Sequence, residues 1–325
     1  MRLSWMRAFA GLFLAVILSV PMWGDTRGAN TALPGTLNYV EGQASMGGET
    51  LNSKSIGSAE LQKGQTLSTD DGRAEMLLTP GVFLRLNNHS AVTMVSPSLT
   101  DTRVEVRRGR AMLEVAELYK QNDIEILQNG ATTRVEKPGL YGFDAAENQI
   151  RVFEGKAVVR DGDRSVSLKG GREVSLNSGT PFKAEKFDKK TYEASDLYRF
   201  SSLRSAYLSE ANMDQARVYA AGYGFGPGWY GPGWYWSPWF SAYTFIPGDG
   251  FFYSPFGWGF YSPLWVYRAP FYWGGHYYRS FGPGYRAPAI ARPGPRVHAG
   301  PISAPAMRGP EVSQGFRGGS FGGRR

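Results

Sequence analysis

The sequence predicts a mainly β protein: a domain of short strands, then one amphipathic helix, then a low-complexity tail rich in aromatic residues, glycine and proline. Three observations predict it. Short alternating apolar segments recur from Gly35 to Leu176, with turn residues between them. The period lengthens to a helical one over residues 187–220. Seven of the 9 tryptophans crowd into the stretch after Gly222, where glycine and proline thicken as well. The implied organisation is a leader at 1–29, a β-domain at 30–182, a helix at 187–220, a Gly/Pro/aromatic region at 221–285 and a disordered basic tail at 286–325.

The leader comes first. Arg2 and Arg7 precede an uncharged apolar run from Ala8 to Val20, which Pro21 breaks. A run of that length suits a signal peptide and is short for a spanning helix of about 20 residues. Gly24 and Ala29 are small residues that can precede cleavage, though neither completes an Ala-x-Ala site; an uncleaved signal anchor is the alternative. Either way the rest of the chain is expected outside the cytoplasm, in the periplasm or cell envelope. No second long apolar run follows.

The net charge of +8 is unevenly spread. From Val218 onward nine arginines face two acids (Asp249 and Glu311), and Arg2 and Arg7 add two more positive charges, which leaves −1 for the middle of the chain. The basic character therefore belongs to the tail and points to a polyanionic partner. There is no cysteine, which excludes disulfides, thiolate nucleophiles, zinc–cysteine sites and an acylated lipoprotein cysteine.

Within the β-domain, residues 74–78 and 82–86 read as strands joined by Thr79-Pro80-Gly81. Asp71-Gly72 reads as a hairpin dipeptide, because both residues tolerate positive φ. Further strands are expected at 92–95, 104–106, 111–115, 124–127, 150–153, 157–160 and 166–168. Many short strands at this spacing indicate a sandwich, barrel or solenoid. A weak repeat runs through them: Tyr39-Val40-Glu41-Gly42-Gln43-Ala44, Val106-Arg107-Arg108-Gly109-Arg110-Ala111 and Val152-Phe153-Glu154-Gly155-Lys156-Ala157. Its glycine offers backbone freedom for a tight turn or bulge, and its alanine re-enters the core where space is small. Such a repeat concerns architecture, not chemistry.

The order Gly64-Gln65-Thr66-Leu67-Ser68-Thr69, Gly72-Arg73-Ala74-Glu75-Met76-Leu77-Leu78, Gly81-Val82-Phe83-Leu84-Arg85-Leu86 resembles the core of the FecR-type extracytoplasmic domain. So does Val135-Glu136-Lys137-Pro138-Gly139-Leu140-Tyr141-Gly142-Phe143-Asp144 leading into Arg151-Val152-Phe153-Glu154-Gly155. The resemblance covers about Gly35 to Gly179 and departs from the pattern at Pro80, where an acid is usual, and at Gly139-Leu140, where Gly-Thr is usual. It implies a FecR-like sandwich or solenoid-type fold with a protein-binding or scaffolding role outside the cytoplasm. FecR-type regulators carry a helical anti-sigma segment before their membrane helix, and the few residues ahead of Ala8 leave no room for one.

In the helix, Leu197, Phe200, Leu203 and Leu208 recur at helical spacing, with Asp188 or Ser195 as the cap and Gly222 as the stop. They are expected to form an apolar stripe against the β-domain. The combination with an aromatic, glycine-rich region is similar to exported FecR-domain proteins of unassigned function. Prolines exclude long central strands and helices in the aromatic region. So many rings suit a contact surface; the candidates are Trp229, Trp234, Trp236, Trp239, Trp258, Trp265 and Trp273. The arginine–glycine ending resembles RNA-binding tails, but the leader disfavours nucleic acid and favours an envelope protein or an anionic cell-wall or surface polymer.

Catalytic chemistry finds little footing. His89, His276 and His298 share no metal-ligand spacing. No nucleophile elbow or lysine-bearing phosphate loop occurs, and no dinucleotide fingerprint follows a strand. Asp70-Asp71 and Asp161/Asp163 sit beside turn glycines, where turn chemistry explains them. The sequence therefore predicts a non-enzymatic exported envelope protein without cofactor or metal, binding or scaffolding through the β-domain and the aromatic region. The alternatives are a carbohydrate-binding or carbohydrate-active protein that uses the aromatic strip, and a FecR-type signalling component lacking the anti-sigma segment.

Overall fold

A computed structural model of the chain describes residues 32–221 and 228–269. The leader, Trp273, His276, His298 and the basic tail lie outside the described residues. The first strands are β1 (Leu37–Met46), β2 (Glu49–Thr50), β3 (Thr66–Leu77), β4 (Val82–Leu86), β5 (Ala91–Pro97), β6 (Thr102–Arg108), β7 (Arg110–Val115) and β8 (Ile124–Gln128). They continue as β9 (Ala131–Val135), β10 (Gly139–Asp144), β11 (Gln149–Glu154), β12 (Lys156–Asp161), β13 (Arg164–Lys169), β14 (Arg172–Ser175) and β15 (Glu185–Lys186). Two helices follow, α1 (Lys189–Glu193) and α2 (Asp196–Ala220). Two hairpins then form from β16 (Gly233–Ser237) with β17 (Ala242–Ile246) and from β18 (Phe251–Tyr253) with β19 (Gly259–Tyr261). The mainly β fold and the long helix are thus as the sequence predicts.

The first fifteen strands make one sheet in the order β13-β12-β9-β8-β6-β5-β3-β4-β7-β10-β11-β14-β15, with β1 beside β3 and β2 beside β1. Pairing is antiparallel except between β6 and β8, which run parallel with Thr102 opposite Ile124. The sheet doubles over on itself. Residues 66–68 of β3 pair with β5, whereas residues 74–77 pair with β4. One layer therefore holds β5, β6, β8, β9, β12 and β13, and the other holds β4, β7, β10, β11 and β14. The core between them takes Val92, Val104, Ile126 and Val159 from the first layer and Leu84, Leu113, Phe143 and Val152 from the second.

The repeat read from the sequence marks where the chain changes layer. β6 belongs to one layer and β7 to the other, and Gly109 joins them with φ +70°. Gly155 joins β11 to β12 in the same way with φ +96°, and Gly42 lies at a register shift in β1. The alanine two residues on returns to the core each time: Ala44, Ala111 and Ala157 are all buried in it. One expectation needs correction here. Asp71-Gly72 forms no hairpin but lies inside β3, with Gly72 opposite Gly42. A Cβ on Gly72 would stand 2.5 Å from the Glu41 carbonyl oxygen, so glycine there admits the close approach of the paired strands at the register shift rather than a chain reversal.

The outer face of the second layer is covered too. Every residue of β4 and β10 is buried, as is every residue of β7 after Arg110. Side chains alternate along these strands, so one set fills the core and the other set meets α2. The helical stretch divides where Ser195 adopts an extended conformation and caps α2 through Tyr198 N, while Asp188 caps α1 through Lys190 N.

Gly109→Ala should destabilise by more than about 1 kcal/mol, because it combines a positive φ with a clash of its Cβ 2.5 Å from the His89 carbonyl oxygen. Gly155→Ala meets the Pro138 carbonyl oxygen at 2.7 Å and should cost as much. Gly162→Asn has open space around it and should lose less than either. Urea midpoints of the three variants test the ranking.

Candidate binding surface

The expectation of an apolar stripe on the helix holds only in part. Leu197, Phe200 and Leu208 are buried, but Leu203 is 53% exposed. The buried face runs through positions 197, 201, 204, 208, 212 and 215 at steps of three and four. Leu203 falls a residue away from that line and points outward. Much of the buried face is instead polar: Ser201, Arg204, Ser205, Ser209, Asn212 and Gln215.

The sheet explains the polarity. On its outer face β3, β4 and β7 place Glu75, Arg85 and Glu114 side by side, all fully buried. Arg85 Nε donates to Glu75 Oε2 at 2.6 Å and Arg85 Nη1 to Glu114 Oε2 at 2.5 Å. Helix α2 completes the group. Arg204 Nη2 donates to Glu75 Oε1 at 2.8 Å, and the Ser205 hydroxyl donates to Glu114 Oε1 at 2.8 Å. From β1, Asn38 Nδ2 donates to Glu75 Oε1 at 2.9 Å and to the Tyr243 carbonyl at 3.0 Å, and its Oδ1 accepts from Tyr243 N at 2.7 Å. Sheet, helix and first hairpin therefore share one buried polar group. Burial alone would raise the Glu75 carboxyl, but the Arg204 and Arg85 guanidiniums outweigh it and hold it down at about 2. Burial raises the Glu114 carboxyl above its ordinary value, against the pull of Arg85 and Ser205.

Asn212 fastens the two hairpins to each other. Its Nδ2 donates to the carbonyls of Phe245 at 2.9 Å and Tyr261 at 3.0 Å, and its Oδ1 accepts from Tyr261 N at 2.8 Å. Thr244 and Ser209 add hydroxyl bonds, to the Leu208 and Gly259 carbonyls respectively. Short strands with free backbone groups need such partners when buried, which is why the helix face is polar where it meets them. Leu140, one of the two departures from the family pattern, is buried with Met112, Leu197 and Phe200 under the helix.

The six candidate tryptophans among the described residues do not share one surface. Trp234 is 1% exposed and packs edge-on against Phe83 of β4 at 5.1 Å and Phe245 at 5.9 Å. Trp236 lies over Gly57 and Tyr243. Trp258 packs at the margin of the Met112, Leu140 and Phe153 cluster. These three join the aromatic segment to the β-domain. Trp229 stacks on Tyr235 at 5.3 Å beside Tyr219, near the end of α2. Trp239 stands 87% exposed in the turn between β16 and β17, next to Ser241, whose φ is +47°. Trp265 is half-buried beside β18.

Strand alternation creates the division in the second hairpin. Phe252 and Phe260 face inward and stack at 5.2 Å, within reach of Phe245 and Phe83. Phe251 and Tyr253 face outward, each 44% exposed. Phe251 meets Tyr253 at 5.5 Å, Tyr261 at 5.7 Å and Trp265 at 5.6 Å. Trp265 Nε1 donates to Asp249 Oδ1 at 3.1 Å, and the Arg268 guanidinium lies 4.4 Å from the Trp265 ring centroid. The outward strip is Tyr253, Phe251, Trp265 and Arg268. Sequence reasoning missed Phe251, Tyr253 and Arg268: Phe251-Phe252-Tyr253 is aromatic throughout, so no alternation marks which rings face outward.

Elsewhere, His89 lies in a turn with φ +51° and faces Asp71 at 3.4 Å, both exposed. Among the described residues no group of three or more His, Cys, Asp or Glu side chains could hold a metal ion. No helix among them is long and apolar enough to cross a membrane.

The strands from β3 into β12, which carry the buried acids, are those recognised by comparison. Residues 65–158 match the FecR protein family. That FecR segment runs from β3 into β12 and contains Glu75, Arg85 and Glu114, but not Arg204. Two crystal structures of a candidate anti-sigma factor of Parabacteroides distasonis are also similar, each 17% identical with a TM-score of 0.35. They cover 40% of this chain and 63% and 62% of their own chains, so the chain spans less than two thirds of either. No curated protein matches the chain.

Arg204→Met should remove one of the two guanidiniums from Glu75 and cost about 3 kcal/mol. Arg204→Met with Glu75→Gln should recover part of that loss, as a double-mutant cycle by urea denaturation measures. Because the Glu75 carboxyl is lowered, its contribution is present above the ordinary carboxylate value of 4.5 and disappears as pH falls toward 2. Stability of Glu75→Gln should therefore fall less steeply over that window than that of the parent chain.

Proposed function

We propose that this chain is a non-enzymatic exported envelope protein, in which the FecR-like domain is a rigid body and the outward aromatic strip is its contact surface. The observation that carries the reading is the division of rings in the β18–β19 hairpin. Inward rings join Phe83 and Phe245 in a packed cluster, whereas Phe251 and Tyr253 stay exposed beside Trp265. Exposed adjoining aromatics on a well-anchored support are what a binding surface needs, since little side-chain freedom is lost on contact. The apolar leader and the family match support a place outside the cytoplasm.

Trp234, Phe245 and Phe260 share a buried cluster with Leu77 and Phe83 of the sheet and Leu208 of the helix. Deleting everything after Gly222 would strip that cover and expose Phe83, so the truncation disturbs the fold as well as the surface. Side-chain variants separate the two. Phe251→Ala with Tyr253→Ala should leave the thermal melt within a few degrees of the parent, because both side chains are about half exposed. The parent protein should fractionate with the cell envelope and the double variant should appear in the soluble periplasmic fraction. Recovery of the parent in the cytoplasm would overturn the assigned compartment, and unchanged envelope association of the variant would overturn the assigned surface. Limited proteolysis should leave the 228–269 segment bound to the resistant particle.

A further inference from the structure

We infer that the outward strip binds an acidic polysaccharide chain, with the rings of Tyr253, Phe251 and Trp265 stacking on sugar faces and Arg268 holding a carboxylate. The inference rests on the proposed contact surface and names its ligand. Three features of the strip point to a sugar polymer.

The first is the row itself. Ring centroids step by 5.5 Å from Tyr253 to Phe251 and by 5.6 Å from Phe251 to Trp265. Such steps are comparable with the advance of one pyranose ring along an extended chain. Tyr253 meets Phe251 edge-on at 75° and Trp265 is tilted to it by 48°, so the three rings present their faces in different directions. A chain-like ligand can follow such a row, while a flat lipid surface meets only its highest ring. Aromatic faces attract the apolar C–H face of a sugar, and hydroxyl edges answer its hydroxyls.

The second is pre-ordering. Phe251 is held by three aromatic neighbours. Trp265 is fixed through its indole N–H by Asp249 Oδ1, which also accepts from Gly250 N at 2.7 Å. Gly259 stands opposite Tyr253 in the hairpin and adds no side chain there. A ligand therefore meets rings already in place, and the ordering cost on binding is small.

The third is charge. Asp249 and Arg268 are the acid and the base of the 228–269 segment, and the acid is bound to Trp265. Arg268 is exposed and keeps most of its donors for a planar carboxylate. The sequence after Ala269 adds eight arginines against Glu311, so the net charge of the chain also favours a polyanion.

Affinity electrophoresis of the full chain through gels containing sodium alginate, a polyuronate, tests the inference. The parent protein should be retarded by alginate and not by neutral dextran. Phe251→Ala with Tyr253→Ala should weaken retardation at least about tenfold, and Arg268→Gln should weaken it while flattening its salt dependence. Absence of retardation by alginate would overturn the inference. So would full retardation of the double aromatic variant, which assigns binding to the arginines of the tail. Equal retardation by poly-dT, or capture by phosphatidylglycerol vesicles without alginate binding, would overturn it in favour of those partners. Should alginate fail while envelope association still depends on Phe251 and Tyr253, the proposed contact surface stands and only its ligand is wrong.

Discussion

Glu75 sits with no solvent exposure between two guanidiniums, one from its own sheet and one from a helix that follows more than a hundred residues later. That arrangement governs how the rest of the chain assembles. A buried carboxylate without partners costs several kcal/mol, so the outer face of β3, β4 and β7 is intolerant of any cover that does not bring a cation. Arg204 brings it, and Ser205 beside it answers Glu114. Hydrophobic contact alone would let α2 slide along the sheet. The ionic group instead offers directional partners at one position, because Arg204 and Ser205 meet Glu75 and Glu114 there. The helix in turn carries Asn212, which sets the position of both hairpins. The outward strip is thus aligned through a chain of directional bonds that begins at Glu75.

The doubled sheet supplies the other constraint. A chain that passes repeatedly between two layers must turn sharply at each passage, and Gly109 and Gly155 make the turns where a Cβ would strike backbone or a hydroxyl group. The alanine that follows lies in the narrow space where the layers meet. Repetition of the motif therefore reflects repetition of one geometric problem. It implies nothing about a ligand, and the proposed contact surface lies on the part of the chain outside the repeat.

Those glycine–alanine steps, the strands around Thr79-Pro80-Gly81 and the caps at Asp188 and Ser195 were legible in the sequence because each depends on a few adjacent residues. Glu75, Arg85 and Glu114 were not. On alternating strands they read as the solvated face of a half-exposed sheet, and only the distant Arg204 shows that this face is buried. The same distance hid the true stripe of α2: Leu203 is apolar and near the expected line, yet it is exposed because the sheet offers carboxylates where an apolar stripe would need a core. Asp71-Gly72 has the composition of a turn, but the pairing of β1 with β3 at Gly42 and Gly72 is a long-range contact that no local pattern signals.

The tryptophans make the same point about function. Composition identified the aromatic segment as the unusual part of the chain and treated its rings as one population. Packing sorts them by strand parity. In β16, Trp234 and Trp236 point to the β-domain, while Tyr235 between them stacks with Tyr230 and Trp229. In β18, Phe252 points inward while its neighbours on either side point outward. A one-residue shift in either hairpin would exchange the sets, burying the contact rings and exposing the ones that hold the segment in place. Asn212 bonds the backbone of both hairpins at defined residues and so opposes that shift. A buried amide on a helix, with no part in any contact with a ligand, thereby decides which aromatic rings are available to one.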